Sequence, residues 1–146
     1  LQEASRTYLK ASEVSDIVIG NDDEFGVMAE DYNEGIKLAQ KLTQSTTSIV
    51  IYKMGEQGSI TFTENEKIKT GIFQVDALKP TGAGDAFMGV FISALLNKKS
   101  IKDSVIDGSA AAAIVVTKVG CSPAMPDKEE LELFLKENML TNFKES

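Results

Sequence analysis

Val75-Asp76-Ala77-Leu78-Lys79-Pro80-Thr81-Gly82-Ala83-Gly84-Asp85-Ala86-Phe87-Met88-Gly89 is the stretch on which the reading of this chain turns. Its first residues close an extended apolar run. Pro80 to Gly84 interrupt that run, and a long helical stretch is expected from Asp85 to Leu96. A strand, a glycine-rich turn and a helix with a carboxylate in its first turn form the join from which α/β proteins are built. The glycines let the backbone turn sharply and let a ligand come close. The amides of Gly82, Ala83 and Gly84 would then point at one place, backed by the positive end of the helix. Such an arrangement binds anions, phosphate above all.

The same alternation continues outward in both directions. Leu1 to Ser12 reads as an amphipathic helix or a fragment of one, and Val14 to Ile19 as a buried strand ended by Gly20. Asn21-Asp22-Asp23-Glu24 opens a helix, with Asn21 as N-cap and the acids where the helix dipole favours them. Asn33 to Leu42 repeats the helical pattern. Ser48 to Tyr52 is β-branched and apolar, Gly55 and Gly58 mark a turn, and Ser59 to Thr63 alternates as a strand leaving it. One or two strands are expected over Lys67 to Leu78, with Ile68, Ile72, Phe73 and Val75 in the core. Downstream, Ile101 to Val119 and Asp127 to Asn138 read as helices. No internal repeat interrupts this order, and the expectation is a single α/β domain over residues 1–146, a sheet flanked by helices.

Composition narrows the chemistry. The 146 residues are 42% hydrophobic and 25% charged, the balance of an ordinary globular domain. A lone Cys121 excludes an intramolecular disulfide and a cysteine-rich metal site, and is expected to pack as a small residue. With no histidine, Ser-His-Asp and Cys-His nucleophiles and His-bound zinc are excluded as well. Catalysis would have to run on carboxylates, lysines, hydroxyls, backbone amides or a hard cation. A formal net charge of -7 opposes a general nucleic-acid surface but not a small phosphate site made of amides. No apolar run approaches the roughly 18 residues of a membrane span, and Leu1 to Arg6 carry no secretory pattern. A cytoplasmic protein without a membrane or nucleic-acid partner is expected, and the missing initiating Met suggests a processed or truncated chain.

Asp85 is the residue that a pure phosphate-binding loop does not explain, because its charge would repel the ligand. It makes sense where a hydroxyl loses its proton as a phosphoryl group is transferred to it. The bland alternative is a plain glycine loop followed by an exposed helix-start acid. On local pattern alone the two stand about even. The segment is not a Walker A loop, since Gly-Lys-Ser/Thr is absent.

Thr81-Gly82-Ala83-Gly84-Asp85-Ala86-Phe87 closely resembles the C-terminal signature of PfkB, or ribokinase-like, carbohydrate kinases, written D-T-x-G-A-G-D. Asp16 to Glu24 resembles that family's strand leading into N-x-x-E, and Ile49 to Ser59 its strand and G-x-x-G turn. Ser109 to Pro126 resembles its helix and loop over adenosine, so the likeness runs from about Ser15 to Pro126. The resemblance implies the C-terminal portion of a ribokinase-like layered α/β fold, binding ATP and Mg²⁺ and acting on a sugar or sugar acid. It assigns Asp85 as general base and Gly82, Ala83 and Gly84 as anion hole. Asn21 and Glu24 would organise Mg²⁺ and its waters, as oxygen ligands suit a hard cation. Lys53, Gly55 and Gly58 would line the nucleotide, with Ser109 and Gly120 as adenosine contacts. Each has a simpler role: N-cap and first-turn acid, turn formers, helix-surface hydroxyl and helix C-cap.

The chain departs from the family pattern in two places. Lys79-Pro80 stands where the signature has Asp-Thr. A Lys there would repel the monovalent cation that potassium-activated members hold and could supply positive charge beside the nucleotide, so independence from potassium is expected. A solvent-facing Lys79 is the equal alternative. Leu78-Lys79-Pro80 further resembles the 5-dehydro-2-deoxygluconokinase branch. The other departure is length, since the family's sugar-contacting half and small β lid have no counterpart here. That leaves a sheet edge open to a missing N-terminal half or to a homodimer. Against the kinase stands a non-catalytic nucleotide-binding or assembly module, which would not need Asp85.

Overall fold

Asp16 accepts backbone hydrogen bonds from both Ser48 and Ile49 at 2.9 and 3.1 Å, and this contact fixes the register of two parallel strands. The computed structural model describes residues 6, 10–11, 16–44, 47–76, 78, 82–118 and 125–145. The helix expected over residues 1–12 therefore falls almost wholly outside the described residues. Four strands and five α-helices lie within them: β1 (Ile17–Asn21), α1 (Asp22–Ala29), α2 (Gly35–Leu42), β2 (Ile49–Lys53), β3 (Ser59–Phe62), β4 (Lys67–Thr70), α3 (Ala83–Leu96), α4 (Ile101–Thr117) and α5 (Lys128–Glu137). The sheet order is β1-β2-β3-β4. β1 and β2 are parallel, with Ile17 opposite Ile49 and Asn21 opposite Lys53, whereas β2 and β3 are antiparallel.

Contacts divide the chain into two compact units, residues 1–69 with 143–146, and residues 70–142. In the first, α1 and α2 cross the gap between the parallel strands, the link that a parallel pair requires. Phe25, Met28, Ala39 and Leu42 from these helices pack with Val50, Tyr52, Ile60 and Phe62 from the sheet. Phe25 is fully buried, with its ring 5.2 Å from that of Tyr52. Burying a ring of that size stabilises the fold by roughly 1.5–3 kcal/mol. Gly35 is dictated by packing, because a Cβ there would meet the Gly26 nitrogen at 3.0 Å. The helix expected over residues 33–42 begins slightly differently, with a 3-10 turn at Tyr32–Glu34 before α2.

The second unit is built on α3 and α4, joined by residues 97–100. Ala86 of α3 packs with Ala111 and Val115 of α4. A Cβ on Gly108 would lie 3.0 Å from the Phe87 carbonyl, so small residues set how closely the two helices approach. At the connection Lys99 pairs with the buried Asp107 at 2.5 Å. α5 adds Leu131, Phe134 and Leu135 against Phe73, Ala110 and Ala113.

Of the one or two strands expected over residues 67–78, only β4 forms among the described residues. Beyond it Phe73 makes an isolated bridge with Leu140, and Ile72 exchanges hydrogen bonds with Thr141 at 2.8 and 2.9 Å. Gly71 fits because a Cβ there would collide with the Thr141 carbonyl. No helix among the described residues is long and apolar enough to cross a membrane.

Candidate active site

α3 begins without a side-chain cap. Its N-cap is Gly82, at φ 90° and ψ -7°, a left-handed conformation natural to glycine. Among the described residues no side chain caps the helix, and the Gly82 carbonyl accepts from Ala86 at 3.0 Å. The amides of the first turn, from Ala83 to Asp85, thus retain the positive end of the helix dipole. A Cβ on Gly84 would meet nothing within 4 Å, so space lies open beside these amides. Asp85 stands in the same turn and is exposed. The turn rests on α4: a Cβ on Gly82 would lie 3.4 Å from Val115, and Leu78 donates to the Val116 carbonyl at 2.8 Å.

Other candidates sit in the first unit, at the carboxyl ends of the parallel strands. Ligands of open α/β sheets characteristically bind outside such ends. Asn21 ends β1 directly opposite Lys53, which ends β2. Asn21 and Glu24 form a closed capping box. The Asn21 Oδ1 accepts from the Glu24 amide at 2.8 Å, and the Glu24 Oε2 accepts from the Asn21 amide at 2.8 Å. Asp22 Oδ1 takes the Asp23 amide at 3.1 Å. Gly20 makes room for this box, since a Cβ there would lie 3.0 Å from both the Glu24 carboxylate and the Phe25 ring.

Three acids at one helix start create a negative field that reaches into β2. Burial raises the Tyr52 phenol above its ordinary value, and Asp22 and Asp23 add to that rise. Burial lowers the Lys53 amine, while the Glu24 carboxylate works against the fall. The residues suit Mg²⁺ in one specific sense. The box uses one oxygen of Glu24, and a carboxylate oxygen is the donor type that suits a hard cation and its waters. Among the described residues no group of three or more Asp, Glu or Cys side chains forms a metal cage. Mg²⁺ needs no such cage when phosphates complete its shell.

Lys53 leads into a 3-10 turn at Gly55–Gln57, closed by Met54 donating to the Gly58 carbonyl at 2.8 Å. Gly58, at φ 116° and ψ -150°, occupies a region essentially restricted to glycine. Gly55 is left-handed at φ 57° with open space around it. Asn21, Glu24 and Lys53 are thus brought together, with Gly55 and Gly58 in the turn that follows. In the second unit Gly82 to Asp85 are contiguous. Ser109 is half-buried in the middle of α4, six residues and about 9 Å along the axis from Val115. Lys79, Gly120 and Cys121 lie outside the described residues. The sequence reading named Gly20 only as the end of a strand, not as the space for the capping box, and it missed Lys144 as the partner of Gln57. A glycine between an apolar strand and an N-cap is a signal for the first, whereas nothing local marks the second.

The comparisons with known proteins agree with this architecture. The model for pfkB family carbohydrate kinases matches residues 1–128, so the chain belongs to that family. It is 41% identical over 139 residues to a 5-dehydro-2-deoxygluconokinase from Photobacterium profundum, covering 92% of this chain and 42% of the relative. The chain therefore spans less than half the length of that relative. A ribokinase from Thermotoga maritima superposes with a TM-score of 0.75 at 36% identity, over 83% of this chain and 42% of that one. An Arabidopsis thaliana ribokinase, in complex with ribose and ATP, gives 0.72 at 26% identity, over 88% and 43%. The ribokinase-like fold expected from the sequence holds.

Proposed function

We propose that this chain provides the phosphoryl-transfer portion of an ATP-dependent kinase acting on a hydroxyl of a sugar or sugar acid. The observation that carries the proposal is the uncapped start of α3, with Gly82 left-handed, Gly84 open and Asp85 one residue on. The first-turn amides stabilise the charge that gathers on the transferred phosphoryl group. Asp85 accepts the proton of the attacking alcohol. A new oxygen–phosphorus bond forms as the bond to the leaving ADP breaks. Lys53, Gly55 and Gly58 contact the nucleotide, and Lys79, Ser109 and Gly120 are assigned there by resemblance. Asn21 and Glu24 would hold Mg²⁺ through oxygen and water, and the bound ion would supply positive charge against the phosphates. The name of the Photobacterium relative supports a substrate of the gluconate type.

Calorimetric titration with Mg²⁺ and a non-hydrolysable ATP analogue tests the reading. Saturable binding is expected, weakened about tenfold or more in Gly84→Ala, whose methyl group occupies the space the phosphate needs. A folded chain that binds no nucleotide, or a Gly84→Ala chain that binds as tightly as its parent, would remove the proposed role of α3.

A further inference from the structure

Three consecutive residues near the C-terminus fasten onto the turn that follows β2, from far away in sequence. Phe143 packs against the core of the first unit, and the Lys69 ammonium lies 5.2 Å from the centre of its ring. Lys144 grips Gln57 from both sides of its own peptide. Its amide donates to the Gln57 carbonyl at 2.9 Å, and its carbonyl accepts from the Gln57 Nε2 at 3.3 Å. Glu145 then pairs with Lys69.

The turn so gripped has little of its own to order it. Two of its residues are positive-φ glycines, and Gly55 is exposed with no neighbour for a Cβ. Beyond the 2.8 Å bond from Met54 to the Gly58 carbonyl that closes it, its internal hydrogen bonds from Gln57 and Gly58 are both 3.2 Å long. Glycines flanking a surface turn leave it many alternative conformations. A segment 87 residues away therefore does work that the local sequence cannot.

We propose that residues 143–145 are a positioning element for nucleotide binding: they hold Gln57, and through it Gly55 and Gly58, in the shape that meets the nucleotide. The proposal rests on the reading of Gly55 and Gly58 as nucleotide contacts. A ligand that needs one conformation binds more weakly in proportion to how rarely that conformation is populated. The clasp raises that population without touching the ligand.

Lys144→Pro removes the donated N–H, whereas Lys144→Ala retains it and changes only an exposed side chain. The two variants and the parent are titrated with Mg²⁺ and the ATP analogue, and amide exchange is followed at Gly55 and Gly58. Lys144→Pro is expected to weaken binding about five- to tenfold and to speed exchange in the turn, with Lys144→Ala matching the parent. A chain ended at Phe143 replaces Lys144→Pro if that variant does not fold, and the same loss is expected. Parental affinity in the clasp-less chain, whatever its thermal midpoint, overturns the proposal. So does an equal loss in Lys144→Ala, which would assign the effect to the side chain. A parent that binds no nucleotide removes the reading of the turn itself, and this inference with it. That outcome is separable, because it appears before any variant is compared.

Discussion

The starts of α1 and α3 both carry acid in the first turn, yet they are opposite surfaces. At α1 the exposed amides are consumed locally: Asn21, Asp23 and Glu24 all donate to side chains of the same segment. Three carboxylates then surround a sealed helix end, which repels anions and favours cations. At α3 the cap is a glycine with no side chain to close the ring, and a single acid stands beside open amides. What separates the capped helix start from the uncapped one is therefore the side chain at the N-cap. One oxygen atom on Asn21 makes the difference.

The sharpest way to break this contrast is at Asp85. Asp85→Asn keeps the amides and the helix but cannot accept a proton. On the proposed role, phosphoryl transfer in an enzyme completed by the sugar-contacting half should fall about 10²- to 10⁴-fold, with binding of the ATP analogue unchanged. A small loss of turnover would reduce Asp85 to a first-turn acid like those of α1. Next in size is Gly84→Ala, which should separate ligand from fold. While nucleotide binding falls, the thermal midpoint should hold or rise, since alanine is favoured over glycine in a helix by about 0.5–1 kcal/mol. A marked drop in midpoint would mean that the open space beside Gly84 serves folding after all.

At the sealed end the expected losses are in stability. Asn21→Ala opens the capping box and should lower the unfolding free energy by about 1 kcal/mol, visible as an earlier denaturant midpoint. Asn21→Asp should restore it, because either oxygen can accept the Glu24 amide. The smallest effect concerns Lys53. The Glu24 carboxylate opposes the fall that burial imposes on this amine. Glu24→Gln should therefore move the amine's titration lower still, followed by NMR of the lysine side chain. The depressed value means that protonating Lys53 costs more in the folded than in the unfolded chain. Stability should accordingly rise with pH between the folded and the unfolded titration points, and more so in the variant. An upward movement would show that Glu24 does not face this amine.

Much of this was legible in residue order. The β-branched runs at residues 17–19 and 49–52, the N-cap at Asn21 and the break before α3 follow from rules acting within a few residues. The family motifs are equally local, which is why Gly82 to Asp85 could be singled out before any coordinates. Residues 71–76 were less legible. They read as a further strand, but Ile72 and Phe73 find their partners in Thr141 and Leu140, so one bridge forms instead of a ladder. The collision that a Cβ on Gly71 would cause likewise depends on a carbonyl about 70 residues away. The role of Gln57 was invisible for the same reason.

By itself the sequence determined the family, the strand–helix order and the chemical character of each helix start, because caps, glycines and acids act on their immediate neighbours. Only the tertiary structure decided how closely α1 meets α2, that the Glu24 carboxylate acts electrostatically on the Lys53 amine, and that Lys144 bonds Gln57 within the Gly55–Gly58 turn. Those outcomes depend on which distant atoms arrive at hydrogen-bonding or van der Waals distance. No local propensity encodes that arrival; it follows from packing the whole unit at once.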